Sequence, residues 1–226
     1  MNTQTHLLIA GALLARPAKR GGTPARNAAV IAGALAPDAG VYGLFAWSKL
    51  AGVPEREVWR SVYFAEPMQT IQAVLNSAPV YAFVFFIAML VLSPRGERAA
   101  KGAAPRTSGW WGSVDVHSAL GLLAIAALLH LAGDLPVHAD DAHRHFWPLT
   151  DWRFHSPISY WDPAHGGNWF AWIEAALGIS CAVLLWRRFR AGWVRVLLAL
   201  AVVAYLAVPL YFTLALGAWA PTGEHP

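Results

Sequence analysis

Four apolar segments, each long enough to cross a bilayer, constrain this chain more than any other feature. They cover roughly residues 72–92, 114–133, 169–186 and 194–217. A helix needs about 20 mostly apolar residues to span the hydrocarbon core of a membrane. Charged residues make up only 13% of the 226 residues, about half the share found in soluble domains. The sequence therefore predicts an all-α integral membrane protein, and it excludes a disordered chain, a nucleic-acid-binding module and a disulfide scaffold.

Two further segments differ from ordinary spans. Residues 28–50 are long enough to cross but contain Pro37-Asp38 in their middle, and proline interrupts helical hydrogen bonding. The apolar segment from Leu7 to Ala15 is too short to cross alone, so we interpret it as a re-entrant half-helix. The prediction is one membrane domain over residues 1–226, with about five transmembrane helices and an N-terminal re-entrant half-helix.

Basic residues predict the orientation of the chain. Twelve of the 17 Lys and Arg residues lie in three alternate connections, at 16–26, 95–106 and 187–195. The positive-inside rule assigns these connections to the cytoplasm. Residues 51–71 and 134–168 would then be extracytoplasmic, on the outer face of a bacterial inner membrane. Within the first of these segments, residues 53–64 predict an amphipathic helix at the interface.

Histidines are concentrated near the outer end of the second apolar segment. Five of the nine histidines lie between residues 130 and 155. His130 and Asp134 are four residues apart, which places both on one helix face. One interpretation is a buried hydrogen bond that fixes helix packing. We favour a metal or catalytic site, because an ionisable pair at membrane depth is costly unless it is paired, hydrated or metal-bound.

Two more polar groups are expected at a similar depth. If the first two segments form a helical hairpin, His6 and Asp38 rise about 15–18 Å above the connection between them, at 1.5 Å per residue. Mixed histidine and carboxylate ligands suit zinc, manganese or iron. A haem bound by His117 and His130 is disfavoured, because no other span carries a matching histidine pair. His117, beside Asp115, is expected to be an interfacial hydrogen-bonded residue.

The connection at residues 134–168 is expected to be an ordered loop rich in histidine and tryptophan. Long structured loops in compact proteins are usually functional. We expect most of its tryptophans to lie at the interface, with Trp161-Asp162-Pro163 as part of a rigid lid over the site. The best additional polar candidates in this loop are Asp141, His143 and His145. Glu174, in the following span, is expected to pair with a loop arginine, Arg144 or Arg153, and the alternative is a role in the site itself.

Several short motifs resemble one family. They are Thr5-His6, the segment Gly33-Ala-Leu-Ala-Pro37-Asp38, and Leu129-His130-Leu-Ala-Gly-Asp134. The set resembles the YdjM-like inner-membrane metal-dependent hydrolases, and more closely a subgroup sometimes labelled as cobalamin-biosynthesis proteins. The resemblance implies a metal-dependent hydrolase with His6, Asp38, His130 and Asp134 as ligands. The chain departs from the family at Gly40, where a second Asp is usual, and at Asn76-Ser77, where His-Ser is usual.

We therefore expect a hydrolase that acts at the outer interface on a lipid or lipid-linked ester. The cofactor would be a divalent metal, with zinc expected before manganese or iron, held by those four residues and His138. The catalytic candidates are Asp134 or Asp141 as general base, and His145. The expected partners are the bilayer and a lipid-like substrate, with no nucleic acid; the oligomeric state is not indicated. The alternative is a non-enzymatic protein, either a metal- or proton-coupled transporter or an assembly factor.

Overall fold

The computed structural model describes residues 1–91 and 119–215. These residues form helices and connecting turns and contain no strand, so the predicted all-α fold class is confirmed. The helices are α1 (Thr3–Leu14), α2 (Pro24–Leu35), α3 (Ala39–Ala51), α4 (Glu55–Glu57), α5 (Glu66–Leu75), α6 (Ala78–Val91), α7 (Ala119–Asp134), α8 (Gly167–Arg188) and α9 (Gly192–Ala215).

The described residues contain four helical segments that are long and apolar enough to cross a membrane. These are Glu66–Leu90, Ala119–Val137, Gly167–Arg188 and Gly192–Leu210, and α2 with α3 would make a fifth if the two are counted together. This agrees with the prediction of about five spans. The connection at 95–106, predicted to be cytoplasmic, and the residues Asp115 and His117 lie outside the described residues.

The predicted break at Pro37-Asp38 is a sharp bend. Helix α2 ends at Leu35 and α3 begins at Ala39, and the two axes differ by 73°. A proline inside a helix lacks a backbone donor and clashes with the preceding turn, so a bend is expected there. Residues 28–50 therefore do not form one straight span, and Asp38 lies at the corner between the two helices.

The segment predicted as an amphipathic helix is less regular than expected. The three-residue α4 is followed by a π-helical turn over Val58–Val62. Leu44, Val58 and Met68 form a small buried cluster that joins this segment to α3 and α5. The segment thus packs its apolar side against protein at one end of the helical bundle.

The short first helix lies inside the bundle. It begins at Thr3 instead of Leu7, so His6 belongs to it, and it packs against α2, α7 and α8. The Arg188 side chain donates hydrogen bonds to the carbonyl oxygens of Ala12 at 2.7 Å and Ala15 at 3.0 Å. These bonds satisfy carbonyl groups that every helix leaves unpaired at its C-terminal end.

Small residues allow α2 and α7 to pack closely. The buried cluster between them and α1 consists of Ala10, Ala29, Val30, Ala34, Leu122 and Ala126. A Cβ atom on Gly33 would lie 2.1 Å from the Leu123 carbonyl oxygen, so only glycine fits at this crossing. Close contact through small residues is typical of membrane helices. Cys181 is buried in a separate apolar cluster.

Backbone hydrogen bonds hold the loop between α7 and α8. The Ser156 amide donates to the His138 carbonyl at 2.9 Å, and the Tyr160 amide donates to the Val137 carbonyl at 3.0 Å. The Ala78 amide at the start of α6 donates to the His145 carbonyl at 2.8 Å. The loop is therefore ordered, and it is attached to α6 and to the end of α7.

The predicted partner of Glu174 is wrong. Its carboxylate accepts hydrogen bonds from the Asn2 backbone nitrogen at 2.6 Å and from the Asn2 side-chain amide at 2.7 Å. Arg144 instead contacts Glu66 and Asp151, and Arg153 binds Gln69 and the Ala142 carbonyl. The buried Glu174 thus fixes the start of α1 against α8.

Candidate metal centre

His6, His130 and Asp134 form one buried group between α1 and α7. Each offers a ligand atom, and the three atoms lie within 4.8 Å of one another. His6 Nε2 is 2.8 Å from Asp134 Oδ1, and His130 Nε2 is 2.9 Å from Asp134 Oδ2. The two imidazole rings are stacked, with centroids 3.5 Å apart and planes inclined by 8°. This group could hold a metal ion.

Helix geometry explains how these residues meet. His130 and Asp134 share one face of α7 because they are four residues apart. His6 reaches them because α1 packs directly on α7. A Cβ atom on Gly133 would lie 2.3 Å from Met1 Cε and 3.2 Å from His6 Cε1, so the glycine leaves space for the Met1 side chain and the His6 ring.

The hydrogen bond to Ala34 determines the protonation of His130. The distance from His130 Nδ1 to the Ala34 carbonyl oxygen is 2.7 Å. A carbonyl only accepts, so Nδ1 carries the proton and a neutral His130 presents its lone pair at Nε2. That Nε2 is buried and makes no hydrogen bond to any described residue. The N-terminal ammonium of Met1 already lies 2.5 Å from Asp134 Oδ1. The lone pair of His130 Nε2, close to Asp134 Oδ2, fits a further cation or a proton. A backbone carbonyl behind the ring is the usual support of a metal-bound histidine.

Asp38 approaches the group from the bend between α2 and α3. Its Oδ1 is 3.6 Å from His130 Nε2, and its Oδ2 accepts a hydrogen bond from the Thr3 hydroxyl at 2.5 Å. Tyr42 in turn donates to the Thr3 hydroxyl at 2.7 Å. The Asp38 side chain is 23% exposed, whereas that of Asp134 is 3% exposed. Asp38 is therefore the more accessible of these two carboxylates.

His138 lies between two carboxylates. Its Nε2 is 3.4 Å from Asp134 Oδ1, and its Nδ1 is 3.0 Å from Asp141 Oδ2. Both ring nitrogens are buried, and neither has hydrogen-bond geometry to a described residue. Burial acts to lower the pKa of His138, but Asp134 and Asp141 outweigh it and raise that pKa. Burial acts to raise the pKa of Asp141, and His138 outweighs it and lowers that pKa.

His143 and His145 form a further layer beyond His138. The His143 ring is 4.9 Å from that of His138 and 5.7 Å from that of His145. Burial, together with the neighbouring His138, lowers the pKa of His143 to about 3, so this ring is neutral near pH 7. Burial also lowers the pKa of His145. His145 Nδ1 donates to the Asn76 carbonyl at 3.1 Å, which directs His145 toward the junction of α5 and α6.

A cavity of about 600 Å³, which we call the outer cavity, lies beside the group. Its polar wall includes Asp38, His138, Asp141 and His143, and its aromatic wall consists of Tyr42, Trp59, Tyr63, Phe64, Tyr160 and Trp161. This volume is in the range of small-molecule sites. The structure therefore places Asp38, His138 and Asp141 between the buried group and an accessible space.

The structure brings most of the sequence-predicted residues together. His6, Asp38, His130, Asp134 and His138 form a continuous network, and Asp141 contacts its outer edge through His138. The Trp161 indole donates to Asp141 at 3.3 Å, so Trp161 contacts the outer edge of the network. Sequence reasoning missed Thr3, although helical spacing from His6 could have indicated it.

Comparison with known proteins identifies no relative. No protein-family model, no curated protein and no solved structure matches this chain. The function of the chain is therefore inferred from the geometry of the site.

Proposed function

We propose that this chain is a membrane-bound, metal-dependent hydrolase whose site opens toward the extracytoplasmic surface. One observation carries the proposal. The buried Nε2 atoms of His130 and His138 both lie close to Asp134, and neither makes a hydrogen bond to a described residue. Buried polar groups are normally hydrogen-bonded, so nitrogens arranged in this way fit ligands of a cation.

The ligands would be His6, His130 and Asp134, with His138 and Asp38 completing the set. Three histidines with carboxylates suit zinc first, and manganese or iron as alternatives. An ion held here supplies a bound water of lowered pKa and polarises a phosphoryl or acyl oxygen. Asp134, enclosed by imidazoles, fits the role of ligand better than that of base.

The residues that face the outer cavity would carry the proton transfers. Asp141 lines that cavity and contacts His138, so we assign it the role of general base. Its contact with His138 Nδ1 also orients the ring and directs Nε2 toward Asp134. His145 is one ring further from the cavity, and we assign it to the support of His143 and the α5–α6 junction.

A lipid or lipid-linked ester is the proposed substrate class. The outer cavity lies near the end of α7 and is walled by tyrosine and tryptophan, which favour the headgroup level of a membrane. With the basic connections in the cytoplasm, this end of the bundle faces the outside of a bacterial inner membrane. A headgroup could therefore enter the cavity without leaving the interface.

The proposed likeness to YdjM-like hydrolases is compatible with the departures in the sequence. A Cβ atom on Gly40 would lie 2.7 Å from Gln72 Oε1, so a glutamine side chain occupies the space where the family has its second Asp. Asn76, at a family histidine position, accepts from His145. His145 thus lies near one of the positions where a family ligand is missing.

Elemental analysis of the purified protein tests the proposal. Wild-type protein purified without chelator should carry near-stoichiometric zinc, manganese or iron. His130→Ala should lose most of it, because a site that lacks one ligand binds weakly. His165→Ala is the matched control, because that histidine is exposed and pairs with Asp162.

Two results would contradict the proposal in different ways. If the wild-type protein is metal-free, the buried group is a network of ion pairs that stabilises helix packing, and the hydrolase proposal is contradicted. Full metal content in His130→Ala would exclude the buried group and shift attention to His138, His143 and His145.

A further inference from the structure

A second cavity, which we call the α8–α9 groove, lies beside the candidate centre. It measures about 380 Å³, and Ala171 of α8 faces Ala204, Val208 and Pro209 of α9 across it. These residues have small or apolar side chains. Ala171 is near the start of the apolar helical segment Gly167–Arg188, and Pro209 is near the end of Gly192–Leu210, so the groove lies where these two segments meet the loop between α7 and α8.

The groove and the outer cavity share a wall. Asn2, Tyr160 and Trp161 line both spaces. The Tyr160 amide is held by the Val137 carbonyl at 3.0 Å, and the Trp161 indole donates to Asp141. The two aromatic residues therefore lie between the two spaces, with the carboxylates and histidines on one side and a mainly apolar space on the other.

The lining of the groove is apolar for the most part, with Gln4, Asn168 and Tyr205 among its polar residues. Its buried carboxylate, Glu174, already accepts two hydrogen bonds from Asn2. The neighbouring α9 side chains Val203 and Leu206 are 60% and 51% exposed, as expected for a helix surface that contacts lipid. A hydrocarbon chain entering from the bilayer would meet no uncompensated charge here.

From this arrangement we infer that the α8–α9 groove binds the hydrocarbon chain of a single-chain amphiphile whose headgroup occupies the outer cavity. The inference rests on the proposed function, because it names the class of substrate that the same site would take. The shared wall determines the geometry: the headgroup lies at the His138–Asp141 edge, and the chain passes Tyr160 and Trp161 into the groove. The groove has one wall formed by α8 and one formed by α9, and we expect a single hydrocarbon chain to fit between them.

Photocrosslinking of a defined probe tests this inference. The probe is a lysophosphatidylcholine with a diazirine in the middle of its acyl chain, added to the full-length protein in detergent and mapped by mass spectrometry. We expect label on α8 near Ala171 and on α9 between Ala204 and Pro209. Ala204→Trp should fill the groove and abolish this label.

The matched control is Val203→Trp, which also introduces a tryptophan, at the adjacent exposed position of α9, and should leave the label in place. Ala171→Trp fills the groove from the opposite wall, so two independent variants test the same space. The melting temperature and metal content of each variant are measured in the same preparations. Only variants that retain the wild-type values for both are compared.

Two outcomes overturn the inference: groove label that persists in both filled variants, and wild-type label that spreads evenly over lipid-facing residues such as Phe83 and Phe86 of α6. The metal measurement separates this failure from failure of the proposed function. If the wild-type protein carries metal but its groove is not labelled, only the proposed binding of a hydrocarbon chain is contradicted. If the wild-type protein is metal-free and its groove is labelled, and the filled variants lose this label, the chain site is supported and the hydrolase proposal is contradicted.

Discussion

Replacing Gly33 by alanine should loosen the contact between α2 and α7 and disturb the candidate metal centre with it. A Cβ atom at this position would lie 2.1 Å from the Leu123 carbonyl oxygen and 2.9 Å from Ala126 Cβ. Ordinary Cβ contacts begin at 3.4 Å. The nearest contact is with backbone, which cannot rotate away, so the two helices must separate by more than 1 Å.

The loss of stability caused by Gly33→Ala can be given an approximate magnitude. Overpacking of this kind typically costs about 1–3 kcal/mol. In a chain of this size each kcal/mol lowers the melting temperature by roughly 2–4 °C, so we expect a decrease of about 2–12 °C. The next residue, Ala34, accepts the hydrogen bond from His130 Nδ1 at 2.7 Å. A displacement of more than 1 Å breaks this bond, and loss of such a support typically weakens metal binding about 10–100-fold.

The assay combines thermal unfolding in detergent with competitive chelator titration. Gly43→Ala is the matched control, because Gly43 is also helical and a Cβ atom there meets nothing within 4 Å. The control should keep the wild-type metal affinity, and its melting temperature should stay the same or rise slightly, because alanine favours the helix more than glycine does. A Gly33→Ala protein with both wild-type values would refute the argument that close packing of α2 on α7 positions His130.

Two further predictions concern the outer edge of the site and the orientation of the chain. Asp141→Asn should weaken metal binding about 10–100-fold, because its carboxylate orients His138; unchanged affinity in the chelator titration would show that the 3.0 Å contact has no positioning role. Reporter fusions in the connection at 93–113 should give a cytoplasmic signal, and fusions after Pro226 an extracytoplasmic one. A cytoplasmic signal from the C-terminal fusion would contradict the orientation derived from the basic residues.

The sequence alone determines the membrane character of the chain and the local features of its helices. Hydropathy identifies the spans because their composition depends on the surrounding solvent and very little on neighbouring helices. Pro37 predicts the bend because it removes a donor wherever it is placed. The i, i+4 relation of His130 and Asp134 follows from helix geometry. Each of these statements depends on interactions over a few residues.

Only the tertiary structure decides which distant groups meet. His6 and Asp134 are 128 positions apart, and depth along the helices predicted their similar level but not the stacking of His6 on His130. The Ala34 carbonyl, which determines the His130 tautomer, is a backbone group with no sequence signature. Charge favours a loop arginine as the partner of Glu174, yet the Glu174 carboxylate binds Asn2. The physical reason is that contacts across helices depend on how closely the backbones pack. Small residues such as Gly33 and Gly133 allow close packing, but the sequence does not show which neighbouring residues they pack against.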